Sequence, residues 1–392
     1  MHSFDAIVLG LGAMGSAALH YLAKKGSRVL GIDRFSPPHA FGSTHGDTRI
    51  TRLAIGEGAQ YTPLVLRSHE LWRELEQETG KTLLTINGGL IISSAAETSR
   101  SHVAHFFDNT LAAAQKFGIA HELLDADEIR RRFPQFKVAD DERGYLERDA
   151  GFLRPEECVR AHLAQAERRG AQIHRDEEVV EFDGSATGVS VRTHRASYSA
   201  ATLIVAAGAW LPGLLEPDLA ANFTIYRQTL VWFDVEGPIA AFAPERFPVF
   251  IWELQKRRQG VYGFPALDGP HGGIKIATEQ YDAATAPDAV RRKVTADEVQ
   301  AMYADYVVPY IAGVSNRCVK AFTCLYTVTP DFGFVLDRHP RYERVLLASP
   351  CSGHGFKHSP AIGEALAEIA TGGTPGFDLA PFALQRFRAT DA

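Results

Sequence analysis

Residues 5–33 read as strand, tight turn, helix, strand and acid, a combination that few folds accommodate. Ala6-Ile7-Val8-Leu9 is a short apolar run suited to a strand buried on both faces. Gly10-Leu11-Gly12-Ala13-Met14-Gly15 follows directly, and a helical pattern through Ala17, Leu19, Leu22 and Ala23 ends near Gly26. Arg28 to Ile32 forms a second strand, closed by Asp33 and followed by Arg34. In this arrangement Gly10 permits the turn, Gly12 admits a pyrophosphate to the backbone, and Gly15 lets the helix pack on the strand. The helix N-terminus, with Ala13 and Met14 in its first turn, then faces the phosphates. Asp33 lies 18 residues after Gly15, near the spacing expected for an acid that bonds a ribose hydroxyl. That acid would repel the 2′-phosphate of NADP. The motif does not separate NAD from FAD.

At 392 residues the chain has room for about two to three domains, each with its own core. Hydrophobic residues make up 45% and charged residues 22%, which excludes a disordered or fibrous chain. A net charge of −6 argues against nucleic acid or an anionic membrane as partner. The four cysteines, at 158, 318, 324 and 351, form no metal-binding spacing, so no metal is expected. The N-terminus lacks the pattern of a signal peptide. The most apolar stretch, 203–215, is too short to span a bilayer. A cytoplasmic protein with reduced thiols is expected.

Several later segments carry chemistry-bearing residues. The polar stretch Gly42-Ser-Thr-His45-Gly-Asp-Thr48-Arg49-Ile-Thr-Arg52 reads from composition as a solvated loop. If it is helical from Thr48 onward, Arg49 and Arg52 share a face. The apolar run 202–207 ends at Gly208 and suits a second close approach to a dinucleotide. Residues 221–281 are strand-rich and suggest a β substrate domain, and a helix is expected over 294–311. Arg130-Arg131-Arg132 and Lys256-Arg257-Arg258 read as solvated surface. In Ser352-Gly353-His354-Gly355-Phe356-Lys357-His358-Ser359-Pro360, Ser359 is the expected N-cap of a helix over 361–370, with Pro360 in its first turn. Lys357 at that helix N-terminus is a positive site for a carboxylate or an electron-rich ring, although the segment reads equally well as a capped turn.

In order along the chain, Gly10 to Gly15, Pro37 to Gly58 with His45-Gly-Asp-Thr-Arg49, Tyr262-Gly-Phe-Pro265, Cys324-Leu-Tyr326 and Ser352 to Lys357 resemble the monomeric sarcosine oxidase and N-methyltryptophan oxidase family of FAD enzymes. The resemblance spans nearly the whole chain. It implies an α/β plus α+β fold, with a Rossmann-like FAD-binding domain (1–84, 150–217 and 320–392) interleaved with a β-rich substrate domain capped by helices (85–149 and 218–319). It also implies oxidation of a secondary amino acid to an imine, with O2 reduced to H2O2, by a protein that works as a monomer.

By the same resemblance Cys324 links covalently to FAD, and Arg52 and Lys357 bind the substrate carboxylate. Lys275 is the oxygen-reduction site, and Arg49 lies beside the flavin. Tyr262 and Tyr326 line the substrate cavity, and Gly353, His354 and Gly355 form the loop next to it. His45, Thr48, Arg34 and Gly208 join the cofactor set, and Cys351 is read as packing. Glu279 departs from the family, whose members commonly carry His there. It either points away or ion-pairs, or it receives a cationic or hydroxylated substrate side chain. Competing readings are a flavin dehydrogenase with another acceptor, an NAD-dependent dehydrogenase and a non-catalytic flavin-binding protein.

Overall fold

The computed structural model describes residues 2–94, 103–255, 257, 259–269 and 271–390. The sequence also suggests a helix over Glu97 to Phe117; its residues 97–102, with Lys256 and Arg258, lie outside the described residues, and the described helix runs Phe106–Phe117. The opening strand His2–Leu9 is the middle of an eight-stranded sheet. Val29–Ile32 pairs parallel on one side and Ser197–Val205 parallel on the other. Ser197–Val205 shares its far edge between two neighbours. Its first half pairs antiparallel with Val189–Thr193, and its second half parallel with Val345–Ser349.

The strand pleat explains why this run is apolar throughout. Ala6 and Val8 face a core built with the helices Ala13–Lys24, Thr62–Thr79, Pro155–Arg168 and Ser359–Ala370. Ile7 and Leu9 face the opposite core, with Leu30, Ile32, Leu203 and Val205.

A second sheet of nine strands is organised on Thr224–Val235. That strand pairs antiparallel with Val314–Val328 along most of its length, and with Ile274–Thr278 on its other edge. Val261–Phe264, Val249–Trp252, Gly89–Ser94, Glu142–Glu147 and Glu122–Leu124 complete the run outward. A three-stranded sheet joins the two bodies. Its Leu84 and Leu153 pack with Trp72, Leu75 and Cys158 from the helices, while its Phe152 packs on Val249 and Phe264 of the large sheet. Among the described residues no helix is long and apolar enough to cross a membrane.

Three local expectations are corrected. Arg49–Thr51 is a strand, neither helix nor solvated loop, because it pairs with Gly151–Leu153. Ser359 is the first helical residue and His358 the N-cap, since a short 3-10 turn, Phe356–His358, runs straight into the helix. The helix expected over 294–311 begins at Ala296, behind a Thr295 and Glu298 capping box, and loosens into a π-type turn over Tyr303–Val307.

Two glycine substitutions separate close approach from backbone freedom. A Cβ on Gly15 would stand 1.7 Å from the Gly10 carbonyl oxygen, whereas Gly80, at φ +65, has open space around it. Gly15→Ala is expected to cost roughly 3 kcal/mol of overpacking, and Gly80→Ala about 1 kcal/mol for a left-handed residue. Equal losses in denaturant unfolding of the two variants would contradict this packing.

Candidate active site

The turn after Leu9 builds one end of a cavity of about 690 Å³. Gly10 adopts φ +82, and a Cβ there would lie 2.5 Å from the Ala206 carbonyl oxygen. The helix Ala13–Lys24 has no side-chain cap from its N-cap Gly12, and its first N–H, on Ala13, makes only a long bond to Thr44 Oγ1 at 3.4 Å. Gly10, Gly12, Ala13, Met14, Asp33, Arg34 and Gly208 all line this end, while Gly15 lies behind them against Gly10. The Asp33 carboxylate accepts from Leu11 N at 2.7 Å and Phe35 N at 2.8 Å. Burial pushes its pKa up, and these two donors oppose that shift. Arg34 Nη1 donates to both Asp288 oxygens, at 2.9 and 3.1 Å.

The other end collects cations. Lys275, 2% exposed, donates from Nζ to Gly46 O at 2.8 Å, Thr48 O at 2.9 Å and Thr48 Oγ1 at 3.3 Å. It lies over the faces of Phe264 and Trp232, 4.5 and 5.2 Å from the ring centres. Burial, and then the Arg49 charge, push its pKa well below the ordinary lysine value. Arg49 donates to Thr48 O and Ser43 O, with Nη2 3.6 Å from Cys324 Sγ. Lys357 donates to His354 O at 2.7 Å, and burial lowers its pKa to about 7. Tyr262 and Tyr326 face each other with their hydroxyls 3.3 Å apart. Burial pushes the Tyr262 hydroxyl to about 12.

Arg52 enters the cavity already paired. Its Nη2 donates to Glu57 at 2.6 Å, and both side chains are almost fully buried. The guanidinium lies 4.9 Å from the Phe106 ring centre. Glu57 Oε1 also approaches His354 Nδ1 at 3.8 Å, and the imidazole stacks on Phe334. Gly353, at φ +86, leaves only 3.0 Å for a Cβ before Tyr281 Oη, so the loop lies directly against the tyrosines. A Cβ on Gly355 would lie 1.4 Å from Pro350 O. Glu279 lines the same cavity with Tyr262, Tyr326 and Lys357.

The cavity thus brings together most of the expected residues, but three stand behind its wall: Gly15, Cys324 and His45. Cys324 is 1% exposed, beneath Arg49 and Ser43. His45 is buried, its Nε2 lacks a hydrogen-bond partner among the described residues, and its pKa is lowered to about 3, chiefly by burial. Sequence reasoning missed Glu57, Tyr281 and the position of Cys351, which lines the cavity with Sγ 4.0 Å from Ser43 Oγ. An acid set between Gly56 and Gly58, five residues beyond Arg52, was the available signal for Glu57.

An uncapped helix end at a glycine cradle suits a pyrophosphate. A far wall of aromatic rings and cations suits a flat ring that gains negative charge on reduction. The residues present therefore fit FAD. Residues 5–369 match the FAD dependent oxidoreductase family. The chain is 41% identical to a monomeric sarcosine oxidase of Streptomyces avermitilis, covering all of this chain and 99% of that one. It is 34% identical to an N-methyl-L-tryptophan oxidase of Salmonella heidelberg, over 98% of this chain and 99% of the relative. The solved open form of NikD, described as an unusual amino acid oxidase essential for nikkomycin biosynthesis, shares the fold at a TM-score of 0.83, over 98% of both chains at 24% identity. The chain belongs to the FAD-dependent oxidoreductases and, among them, to the monomeric sarcosine oxidase and N-methyltryptophan oxidase family; it is an FAD-dependent amine oxidase.

Breaking the Arg52–Glu57 pair from one side strands a buried guanidinium. Glu57→Gln is expected to cost roughly 3–5 kcal/mol, and adding Arg52→Met to recover part of that loss. A double mutant no more stable than Glu57→Gln, measured by urea unfolding of the apoprotein, would contradict the pairing.

Proposed function

We propose that this enzyme oxidises the C–N bond of a secondary amino acid, N-methylated or cyclic, to the imine, with O2 reduced to H2O2. The amine gives up two electrons and two protons. Water then hydrolyses the imine, releasing formaldehyde and the primary amino acid from an N-methyl substrate. The observation that carries this reading is convergence. Lys275, Arg52, Lys357, Tyr262 and Tyr326 all line one cavity that starts at the glycine cradle.

FAD, when bound, supplies the two-electron acceptor and passes the electrons on to O2. The chain's own residues do the rest. Arg52 and Lys357 grip the substrate carboxylate and so fix where the amine carbon lies. Arg52 reaches that carboxylate by loosening its hold on Glu57. Tyr262 and Tyr326 flank the amine with their rings. The Lys275 ammonium favours negative charge as O2 is reduced. Burial raises the pKa of the Cys324 thiol, and the Arg49 guanidinium beside it opposes that rise and so favours the thiolate needed to form a thioether to FAD. Gly353, Gly355 and His354 hold the loop that carries Lys357. His45 and Thr48 support the cofactor from behind the wall and beside Lys275.

We assign residues 1–84, 150–217 and 320–392 to the FAD-binding domain and 85–149 and 218–319 to the substrate domain; the sheet pairing supports this except at 320–328, which pair with Thr224–Val235 of the substrate-domain sheet. The strand Val314–Val328 runs across the last boundary. We read the enzyme as a cytoplasmic monomer whose partners are the small amino acid and O2.

Cys324→Ser should release the flavin into the supernatant on acid precipitation, while Cys351→Ser keeps it in the pellet. Flavin retained with denatured Cys324→Ser would overturn the attachment. Lys275→Met should slow flavin reoxidation by O2 by tenfold or more, and anaerobic bleaching by substrate far less. Equal slowing of both half-reactions would remove Lys275 from the oxygen step.

The Lys357 pKa of about 7 gives a pH test. A carboxylate binds the ammonium form, so binding takes up a proton above that pKa. The dissociation constant of acetate, read from the flavin spectrum, should be flat below about pH 7 and rise up to tenfold per pH unit above it. Lys357→Met should flatten the profile. An unchanged slope in that variant would exclude Lys357 as the titrating group.

A further inference from the structure

Arg34 ties two carboxylates together on the rim of the cavity. Its Nη1 donates to both Asp288 oxygens, at 2.9 and 3.1 Å, and its Nε lies 3.4 Å from Glu178 Oε1. The two acids come from different bodies of the molecule. Glu178 immediately precedes the strand Val179–Gly184 of the eight-stranded sheet. Asp288 lies between the strand Ala284–Thr285, at the edge of the large sheet, and the helix Ala296–Met302. All three residues line the cavity, yet the side chains of Arg34, Asp288 and Glu178 are 34%, 60% and 53% exposed. Residues that line a cavity and also meet solvent stand at its opening.

This opening belongs to the glycine-cradle end. Arg34 follows Asp33, whose place in such a fold is beside the ribose of the adenosine half. Trp210, two residues beyond Gly208, lines the same cavity and donates from Nε1 to Asp288 Oδ1 at 3.0 Å. The Arg34 guanidinium lies over two aromatic faces, 5.5 Å from the Phe35 ring centre and 5.9 Å from that of Trp210, which favour its path across the gap. The Asp288 side of the crossing is anchored. Val290 packs with Ala209, Ile225 and Leu325, and Arg292 donates to Phe41 O at 2.6 Å. Arg34 is the movable part, a long side chain held by ion pairs that solvent reaches. Pairs of that kind are weak, and exposed side chains change rotamer within nanoseconds. Rotation of this one side chain therefore parts the two rims with no change of backbone.

We infer that Arg34 is a crossbar over the adenosine end of the FAD site, which swings away from Asp288 and Glu178 to admit the cofactor to the apoprotein and closes behind it. Such a crossbar requires only that FAD is the cofactor, whichever amine is oxidised. It governs the rate at which the site fills and adds nothing to the chemistry at the far wall.

The test is stopped-flow mixing of FAD with the full-length apoprotein at fixed ionic strength, followed by quenching of flavin fluorescence. Arg34→Met and Asp288→Asn change the local charge in opposite senses but break the same contact. Both are expected to speed loading, by roughly threefold to tenfold, and Glu178→Gln should act in the same direction. The Arg34→Met, Asp288→Asn double variant should load no faster than Arg34→Met alone, because the two residues share one interaction. Arg34→Lys, which keeps the charge but offers a single nitrogen, should fall between wild type and Arg34→Met. A simple electrostatic field acts otherwise. FAD is an anion, so Asp288→Asn would speed its entry and Arg34→Met would slow it. That outcome would overturn the crossbar, and so would unchanged loading in both variants. If Arg34 instead grips FAD directly, loading stays at the wild-type rate while release from FAD-loaded Cys324→Ser enzyme quickens on adding Arg34→Met, which also overturns it.

Discussion

The carbonyl oxygen of Gly10 lies 1.7 Å from the point where a side chain on Gly15 would begin. Only hydrogen fits there. That contact sets the helix Ala13–Lys24 directly on the end of the central strand, where Gly12 supplies no side-chain cap and Ala13 N–H donates to Thr44 Oγ1 at 3.4 Å. A Cβ on Gly10 would also meet the Ala206 carbonyl oxygen, at 2.5 Å, so the strand ends of His2–Leu9 and Ser197–Val205 open at one place. Asp33 completes the corner by accepting from Leu11 N, which ties the second strand to the turn. Widen this corner by one methyl group and the cavity loses the wall from which its whole length is laid out.

The far wall depends on a second constraint, the burial of positive charge. Lys275, Arg49 and Lys357 donate to backbone carbonyls. These partners satisfy hydrogen bonds without supplying a counter-charge, so burial lowers the pKa of both lysines and each holds its proton more firmly when negative charge arrives beside it. Arg52 differs, because the Glu57 carboxylate neutralises it. A buried pair of this kind contributes little net stability and holds its guanidinium in one orientation. An incoming carboxylate competes with Glu57 for Arg52, whereas it meets Lys357 with only a carbonyl to displace. Its pKa near neutrality means that Lys357 can gain its proton along with the anion.

Local chemistry made the first corner legible from sequence. The glycines, the flanking apolar runs and Asp33 lie within one stretch, and each acts through its neighbours. The strand Arg49–Thr51 was not legible in that way. Its polar composition describes a loop, and it becomes a strand only through Gly151–Leu153, about a hundred residues further on. Resemblance, rather than composition, singled out Arg49 and Arg52. Glu57 escaped because its meaning is relational, an acid that matters only once Arg52 is known to be buried beside it. Ser359 shows the limit of cap signatures, since Phe356–His358 already turns helically before it and takes the N-cap position one residue earlier. Cys351 looked like packing in sequence yet lines the cavity, whereas Cys324 lies behind the wall.

The strand Ile274–Thr278 ties the buried lysine to the core within a single element. Its inward face carries Lys275 and Ala277, and the outward isoleucines anchor it in the core of the large sheet. A slip of one residue would turn Lys275 away from the cavity, so register alone keeps it on the inner face. Antiparallel partners on both sides, Thr224–Val235 and Val261–Phe264, hold that register. The second partner also sets Tyr262 opposite Ala277, two residues from the lysine on the same cavity wall. The lysine is therefore held by paired backbone on both sides rather than by a loop.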